Sequence, residues 1–397
     1  MTQAIILGDI HFGKSTNIGK IGIGAAINSR ILDQMNLLDW VLDQAETHGV
    51  HDIIVTGDIF EEPKPSSMLI TLFLSWIKKC IANNIKLHLI RGNHDILRSG
   101  FISNSSLDII SEIDFDNVHV YKDIDTIIIG TTAFTLLPFR DRKSFSVASN
   151  LEALSLLQDL ISYELASIPL TYSKVLIGHL AIEGSIPVGD EIDDISNELF
   201  CDINMFNGYD YVWMGHVHKP QVMNKNNPYV AHVGSMDISN FGETDHKKNI
   251  VIFNCLNSTY EYKILPTRPL KKISIIVPKD VIDTTKFVID HLVSLNDDYS
   301  KAIIKLEVSL DSEALSLNKP IIEKFFTEKS AFSISSFFES KKMMPVKKDI
   351  KNTIDTKIDV LSAIKTYAHT YVDTDMRSEF IELATETFTN FKIEAKD

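Results

Sequence analysis

Cysteine is scarce in this chain, and its three residues, Cys80, Cys201 and Cys255, share no spacing motif. An odd, scattered set excludes a disulfide framework and leaves structural thiols in a reducing cytoplasm as the expectation. Long apolar runs are missing as well. The most apolar window, Met68 to Ile77, is far shorter than a membrane span, and no secretory signal is expected because Met1-Thr2-Gln3 leads straight into a strand-like run. Positive charge is also short, with 39 Lys and Arg against 53 Asp and Glu and a formal net charge of -14. That balance argues against a strongly basic nucleic-acid binder, although local basic clusters and bound cations leave DNA open as a ligand. Internal repeats and low-complexity tracts do not occur. The Gly19-Lys20-Ile21-Gly22-Ile23-Gly24 stretch lacks the strand-to-helix context of a phosphate-cradling loop and reads as a mobile loop.

What the chain does have is a series of short blocks in its first 218 residues: Gly8-Asp9-Ile10-His11, Gly57-Asp58, Gly92-Asn93-His94-Asp95, Gly178-His179 and Gly215-His216-Val217-His218. Each follows an apolar run that reads as a buried strand, namely Ala4-Leu7, Ile53-Val55, Leu87-Ile90, Val175-Ile177 and Tyr211-Met214. Between the first three, Ile31, Met35, Leu38, Leu42 and Ala45, then Leu69, Leu72, Phe73, Trp76, Ile77 and Cys80, recur at helical spacing. Strand, block and helix in alternation predict an α/β fold whose site is delivered from the carboxyl ends of several strands. The glycines are expected to let the chain turn sharply off each strand.

The donors are carboxylate oxygen, imidazole nitrogen and one amide oxygen, with no thiolate. That chemistry suits a pair of borderline or hard divalent ions such as manganese, iron(II), magnesium or zinc, and disfavours structural zinc. A lone histidine after a strand is more often a satisfied histidine than a ligand, and His48, His51, His88, His119, His232, His246, His291 and His369, which lie in no block, are read that way. For Asp9, His11, Asp58, Asn93, His94, His179, His216 and His218 the joint order inverts those odds. Carboxylates and imidazoles crowded together require a cation to offset them.

The blocks, with Gly215-His216-Val217-His218-Lys219-Pro220-Gln221 and the later Gly234-Ser235 and Phe241-Gly242-Glu243, resemble the nuclease subunit of the Mre-eleven/SbcD family, including its phage recombination members. The resemblance covers roughly the first 265 residues, and the remainder only in outline. It implies a calcineurin-like metallophosphoesterase, a two-sheet sandwich flanked by helices, followed by a small α+β capping domain and a C-terminal helical segment. It also implies that Asp9, His11, Asp58 and His218 hold one metal, that Asp58, Asn93, His179 and His216 hold the other, and that Asp58 bridges them. His94 would donate a proton to the leaving 3′-oxygen. Asp95 would either orient that imidazole or cap its own turn. The sequence departs from part of the family at Glu61, where archaeal and eukaryotic members carry a second histidine.

The domains expected are a nuclease domain over 1–265, a capping domain over 270–340 after a Pro266-Thr267-Arg268-Pro269 linker, and a third segment over 341–397. The capping domain is anticipated from Ile273-Val277, Ile303-Val308 and helices near Thr284-Ser294 and Pro320-Phe326. The third segment opens on Lys341-Lys342-Met343-Met344-Pro345-Val346-Lys347-Lys348, a tether or, alternatively, a DNA contact. Its two amphipathic helices, Ile354 to Ala368 and Met376 to Phe391, are read as docking residues 350–397 onto the coiled coil of an SbcC-type ATPase, with packing on the chain's own core as the alternative. Candidate DNA contacts are Lys14, Arg30, Arg91 and Arg98, each of which could equally be a solvated face; the clusters Lys14, Lys20, Arg30 and Arg140, Arg142, Lys143 fall in the same class. A homodimer is implied by the family and supported by the apolar helix Leu69-Cys80 with Leu107, Ile109 and Ile110. The function expected is a manganese-dependent DNA exonuclease/endonuclease of a break-repair or recombination complex. A small-molecule phosphodiesterase or phosphatase, or a non-catalytic scaffold of the same fold, are the competing readings.

Overall fold

The computed structural model describes residues 2–14, 18–21, 27–99, 102–113, 115–187, 197–311, 314–342, 377–378 and 380–385. The chain divides into two units, 1–342 and 343–397. Of the second, 377–378 and 380–385 are described and helical, with Phe380 and Leu383 exposed. The remainder of the expected tether and both ends of the amphipathic pattern lie outside the described residues, as does His369.

Strands β1 (Gln3–Leu7), β2 (Asp52–Val55) and β3 (Lys86–Ile90) lie side by side and parallel, joined by helices α1 (Ser29–His48) and α2 (Ser67–Ala82). Val118–Tyr121 extends this sheet beyond β3, and the antiparallel strands Asn249–Asn254 and Thr259–Ile264 extend it beyond β1 to six strands. A second six-stranded sheet runs Gln221–Asn224, Tyr229–His232, Tyr211–Gly215, Ser173–His179, Thr132–Leu137, Asp125–Ile129, with a parallel centre and antiparallel edges.

Side-chain alternation explains why the sheets stack. Ile5 and Leu7 of β1 face a core shared with Leu38, Val41, Phe73 and Trp76 of α1 and α2. Ala4 and Ile6, one residue out of phase, join Ile54, Ile177, Trp213 and Phe253 in a core drawn from both sheets. The outer face of the second sheet is covered by Ala153, Leu157 and Ile161 of the helix Asn150–Ser167. Strands buried on both faces are the expected companions of crossover helices, and the parallel centres bring their carboxyl ends to one edge. Local chemistry sets the helix limits: Asn28 caps α1 through the Arg30 N–H at 2.9 Å, Gly49 ends it with φ 64°, and Ser66 caps α2.

Several expectations change here. Phe73, Trp76, Ile77, Cys80, Leu107 and Ile110 are buried in the first core, so the apolar stripe that supported a homodimer is explained by packing within one chain. Of the apolar residues in the helix Leu107–Ile113, Ile109 and Ile113 remain exposed. Within the glycine stretch, Lys20 and Ile21 are tied down by Ser29 N–H to Lys20 O at 2.8 Å and by an Ile21–Asn28 bridge, while 22–26 lie outside the described residues.

Where a capping domain is expected, a small module contains Leu270–Ile276, Thr284–Ser294, Ile303–Asp311 and Lys319–Glu328, which overlap the four expected elements, and one further strand, Ser333–Lys342. That strand pairs in parallel with Ile303–Asp311 as far as Asp311↔Lys342, so the first two residues of the expected tether belong to a sheet. Its sequence mixes serines, phenylalanines and charges, and only the neighbouring ladder makes it a strand. The linker is not loose either. Arg268 grips Asp33 of α1 through Nε at 2.8 Å and NH2 at 2.6 Å and stacks 4.0 Å above Phe332, so 1–265 and the module form one compact unit.

Candidate metal centre

The blocks meet where the loops leave both sheets. Asp9, Asp58, His179, His11, His216 and His218 are all buried, and three of them take left-handed backbone: His11 at φ 46°, Asp58 at φ 46° and His216 at φ 79°. Such conformations cost a non-glycine residue about 1–3 kcal/mol each and persist where surrounding structure enforces them, commonly at functional sites. Glycine serves here mainly for close approach. Gly57, at φ 132°, lies where a Cβ would sit 2.2 Å from His179 Nδ1, and a Cβ on Gly215 would lie 2.2 Å from Asp9 Oδ1.

Two donor groups share one carboxylate. On one side His11 Nε2 lies 2.8 Å from His218 Nε2 and 3.5 Å from Asp58 Oδ2, with Asp9 in the same cluster. On the other, Asn93 Oδ1 is faced by His179 Nε2 at 2.9 Å and His216 Nδ1 at 3.0 Å, and His179 Nε2 is 3.2 Å from Asp58 Oδ2. Asp58 Oδ2 is thus in reach of both groups. Two backbone N–H groups and one hydroxyl orient the carboxylates: His94 N–H donates to Asp58 Oδ1 at 2.9 Å, His216 N–H to Asp9 Oδ2 at 2.7 Å, and the Thr56 hydroxyl to Asp9 Oδ1 at 2.9 Å.

The electrostatics fit a cation. Burial, reinforced by His218 and Lys14, pushes His11 down to about 4 despite Glu61, which leaves a neutral imidazole able to ligate. Burial opposes charge on His179, Asp9 and Asp58, yet their mutual attraction holds His179 above the ordinary histidine value and both carboxyls below theirs. Nitrogen and oxygen donors converging without thiolate are the chemistry of divalent ions.

His94 stands beside the cluster, its Nδ1 2.8 Å from Glu61 O. Burial works against its protonation, but the Asp58 charge and the Glu61 carbonyl raise its pKa. Asp95 does not touch that ring. Its carboxylate accepts from Gly92 N–H at 2.9 Å, Ile59 N–H at 3.1 Å and Phe60 N–H at 3.1 Å, and burial beside Asp58 brings it up to about 7. Of the two roles read from the sequence, the backbone one is realised, widened into a clamp between two loops; the ring is oriented by Glu61 O.

The basic candidates separate. Lys14 sits at the rim, 3.3 Å from Glu61 Oε1. Arg30 is a correction: it is buried and consumed by Asp33 at 2.7 Å, Asp237 at 2.6 Å and Ile238 O at 2.7 Å, leaving no face for DNA. Arg91 is half-buried with a bond to Lys122 O, and Arg98 lies on the paired strand Ile96–Ser99. His88, bound to Asp52 and Tyr121, and His232, bound to Gly215 O, are the core histidines expected.

Sequence reasoning missed Glu198 and Lys248. Glu198 contacts His216 Nε2, and no periodicity or block marks it. Lys248, fully buried, donates to Glu243 Oε2 at 2.6 Å, Ser235 Oγ at 2.8 Å and His218 O at 2.8 Å. Burial raises the Glu243 carboxyl, but His218 and Lys248 outweigh it and hold it well below the usual range.

A family model described as calcineurin-like phosphoesterase matches residues 3–220, which include every donor from Asp9 to His218. The chain belongs to the calcineurin-like phosphoesterase family. Among curated members of this phosphoesterase family, the SbcD subunit of the nuclease SbcCD from Staphylococcus saprophyticus is 25% identical over 268 residues, 64% of this chain and 69% of that protein. Its Escherichia coli K12 counterpart is 26% identical over 59% of this chain and 62% of its own length. The DNA double-strand break repair protein Mre11 of Methanococcus maripaludis is 24% identical over 68% of this chain and 65% of its own length. No helix among the described residues is long and apolar enough to cross a membrane.

Lys248→Met should destabilise the protein by about 3–5 kcal/mol, because it strands the buried Glu243 charge beneath His218. Urea unfolding of the variant beside Lys248→Met/Glu243→Gln measures it; the double variant should recover much of the loss.

Proposed function

We propose that this phosphoesterase is a two-metal DNA nuclease, with manganese as its ion, and the catalytic subunit of a break-repair or recombination complex. The observation that carries the two-metal part is the position of Asp58 Oδ2, 3.5 Å from His11 Nε2 and 3.2 Å from His179 Nε2. Asp9, His11, Asp58 and His218 form one half of the site, and Asp58, Asn93, His179 and His216 the other. When bound, a pair of divalent ions supplies an activated water and stabilises the charge of an in-line displacement.

The chain's own residues supply the rest. Backbone N–H groups at His94 and His216 hold the Asp58 and Asp9 carboxylates in place. With Nδ1 engaged by Glu61 O, His94 carries its acidic proton on the opposite ring nitrogen and passes it to the leaving oxygen. DNA as substrate is supported by the relatives, which are named as nucleases or as a break-repair protein, and by the capping module pinned to α1 through Arg268 and Asp33. With a net charge of -14 and Arg30 buried, little basic surface remains for DNA, and much of the grip falls to an ATPase partner of SbcC type bound through 350–397. A homodimer belongs to the same proposal and, of the residues first assigned to it, has Ile109 left to use.

Asp58→Ala should bind neither ion tightly and lose hydrolysis, whereas His94→Ser should keep metal and DNA affinity and cut slower by about two to four orders of magnitude. Manganese calorimetry and a nuclease assay on linear duplex DNA, run beside a chromogenic phosphodiester, read both. Turnover confined to the small diester would move the assignment to a small-substrate phosphodiesterase. Metal uptake with no turnover on either would make the chain a scaffold.

Deleting 350–397 should leave cleavage by the isolated chain nearly intact, since every donor precedes Lys219. It should abolish co-purification with the ATPase and any ATP stimulation. Loss of metal or unfolding in the truncated chain would assign the segment to the catalytic unit instead.

A further inference from the structure

Two carboxylates stand behind the donor set rather than within it. Glu198 Oε1 contacts His216 Nε2, while the same ring presents Nδ1 to Asn93 Oδ1 at 3.0 Å. Glu61 Oε2 lies 2.8 Å from His11 Nδ1, a close ion-pair contact off the axis of a hydrogen bond, while that ring presents Nε2 to His218 Nε2 at 2.8 Å and to Asp58 Oδ2 at 3.5 Å. An ionised carboxylate only accepts hydrogen bonds, so a neutral imidazole facing one places its proton on that side. The other nitrogen is then left with its lone pair toward the cluster.

Both acids are themselves held. Glu198 is 6% exposed, and its segment is fastened by Asn150 Nδ2 to Glu198 O at 3.1 Å and by Arg142 NH2 to Asn197 Oδ1 at 2.6 Å. The Glu61 N–H donates to Phe12 O at 3.2 Å, and Lys14 Nζ lies 3.3 Å from its second carboxylate oxygen. Glu61 therefore serves two rings at once, His11 through its side chain and His94 through its carbonyl.

We infer that Glu198 and Glu61 are positioning residues, one behind each half of the centre, which make His216 an Nδ1 ligand and His11 an Nε2 ligand. The inference rests on the two-metal reading above. It gives Glu61, the point where this chain departs from part of the resembling family, a task that needs no contact with substrate.

Manganese calorimetry on the full chain tests it. Glu198→Ala should weaken one of two ions by about 10- to 100-fold and leave the other unchanged, and Glu61→Ala should do the converse. Glu198→Gln, whose amide oxygen still accepts from Nε2–H, should keep most of the affinity. Placed in a His216→Ala background, Glu198→Ala should cost nothing further, because its effect runs through that ring. Nitrogen NMR of labelled histidines in the zinc-loaded protein should find the His216 proton on Nε2 and the His11 proton on Nδ1. The opposite tautomers in the wild-type chain overturn the inference even if an alanine variant fails to fold. So does a wild-type chain that binds two ions while Glu198→Ala binds them equally well. A wild-type chain that takes up no manganese removes the two-metal reading, and this inference with it.

Discussion

Everything in the catalytic half of this protein converges on Asp58. Its carbonyl accepts from Ile10 N–H at 3.1 Å and His11 N–H at 2.8 Å, which ties the loop after β1 to the loop after β2. Its carboxylate accepts from His94 N–H, which brings in the loop after β3, and faces His179 from the other sheet. One residue thus joins three loops of one sheet to the second. Its backbone lies at φ 46° and Gly57 before it at φ 132°, so the junction requires a locally unfavourable chain path. The sandwich beneath, with Ile6, Ile54, Ile177 and Trp213 packed between the sheets, is what holds that path in place.

The cost of the junction is electrostatic. Carboxylates and imidazoles are withdrawn from water within a few ångströms of one another, and such groups normally lower their cost by pairing, by hydrogen bonding or by giving up charge. All three outcomes are present. Asp9 and Asp58 pair with His179, Asp95 is satisfied by three backbone N–H groups, and His11 is neutral at physiological pH. A second pair, Glu243 with Lys248, supports the carbonyl of His218 from behind. The same arrangement that makes the site costly to bury makes it receptive to divalent cations.

The module over 270–342 is attached through charge as well. Asp33 is shared by Arg30 and Arg268, and Arg30 continues to Asp237, whose neighbour Met236 donates its N–H to Asp9 O at 2.7 Å. A continuous set of ion pairs and hydrogen bonds therefore runs from the start of the module to the first donor. Arg30 looks in the sequence like a surface cation and Arg268 like part of a loose linker, yet burial of the first and the Asp33 carboxylate they share make both structural.

The sequence by itself determined the candidate donors, the strands that deliver them and the helices α1 and α2, because those signals are local: continuous apolar runs, a 3.6-residue period and glycine-marked blocks at strand ends. It could not determine roles that depend on what lies opposite. Glu198 carries no local mark, and its contact with His216 exists only because the second sheet brings residues 198 and 216 together. Asp95 beside His94 reads either as an orienting acid or as a cap of its own turn, and only the fold, which turns its carboxylate to the N–H groups of Gly92, Ile59 and Phe60, decides between them. Ser333–Lys342 has little strand character of its own and becomes one by completing the ladder of Ile303–Asp311. Periodicity also could not separate core from interface at Phe73, Trp76 and Leu107, since an apolar stripe looks the same whether it packs on its own sheet or on a second chain. Local chemistry chose the atoms of the site; tertiary packing decided which of them face the centre and which hold the others still.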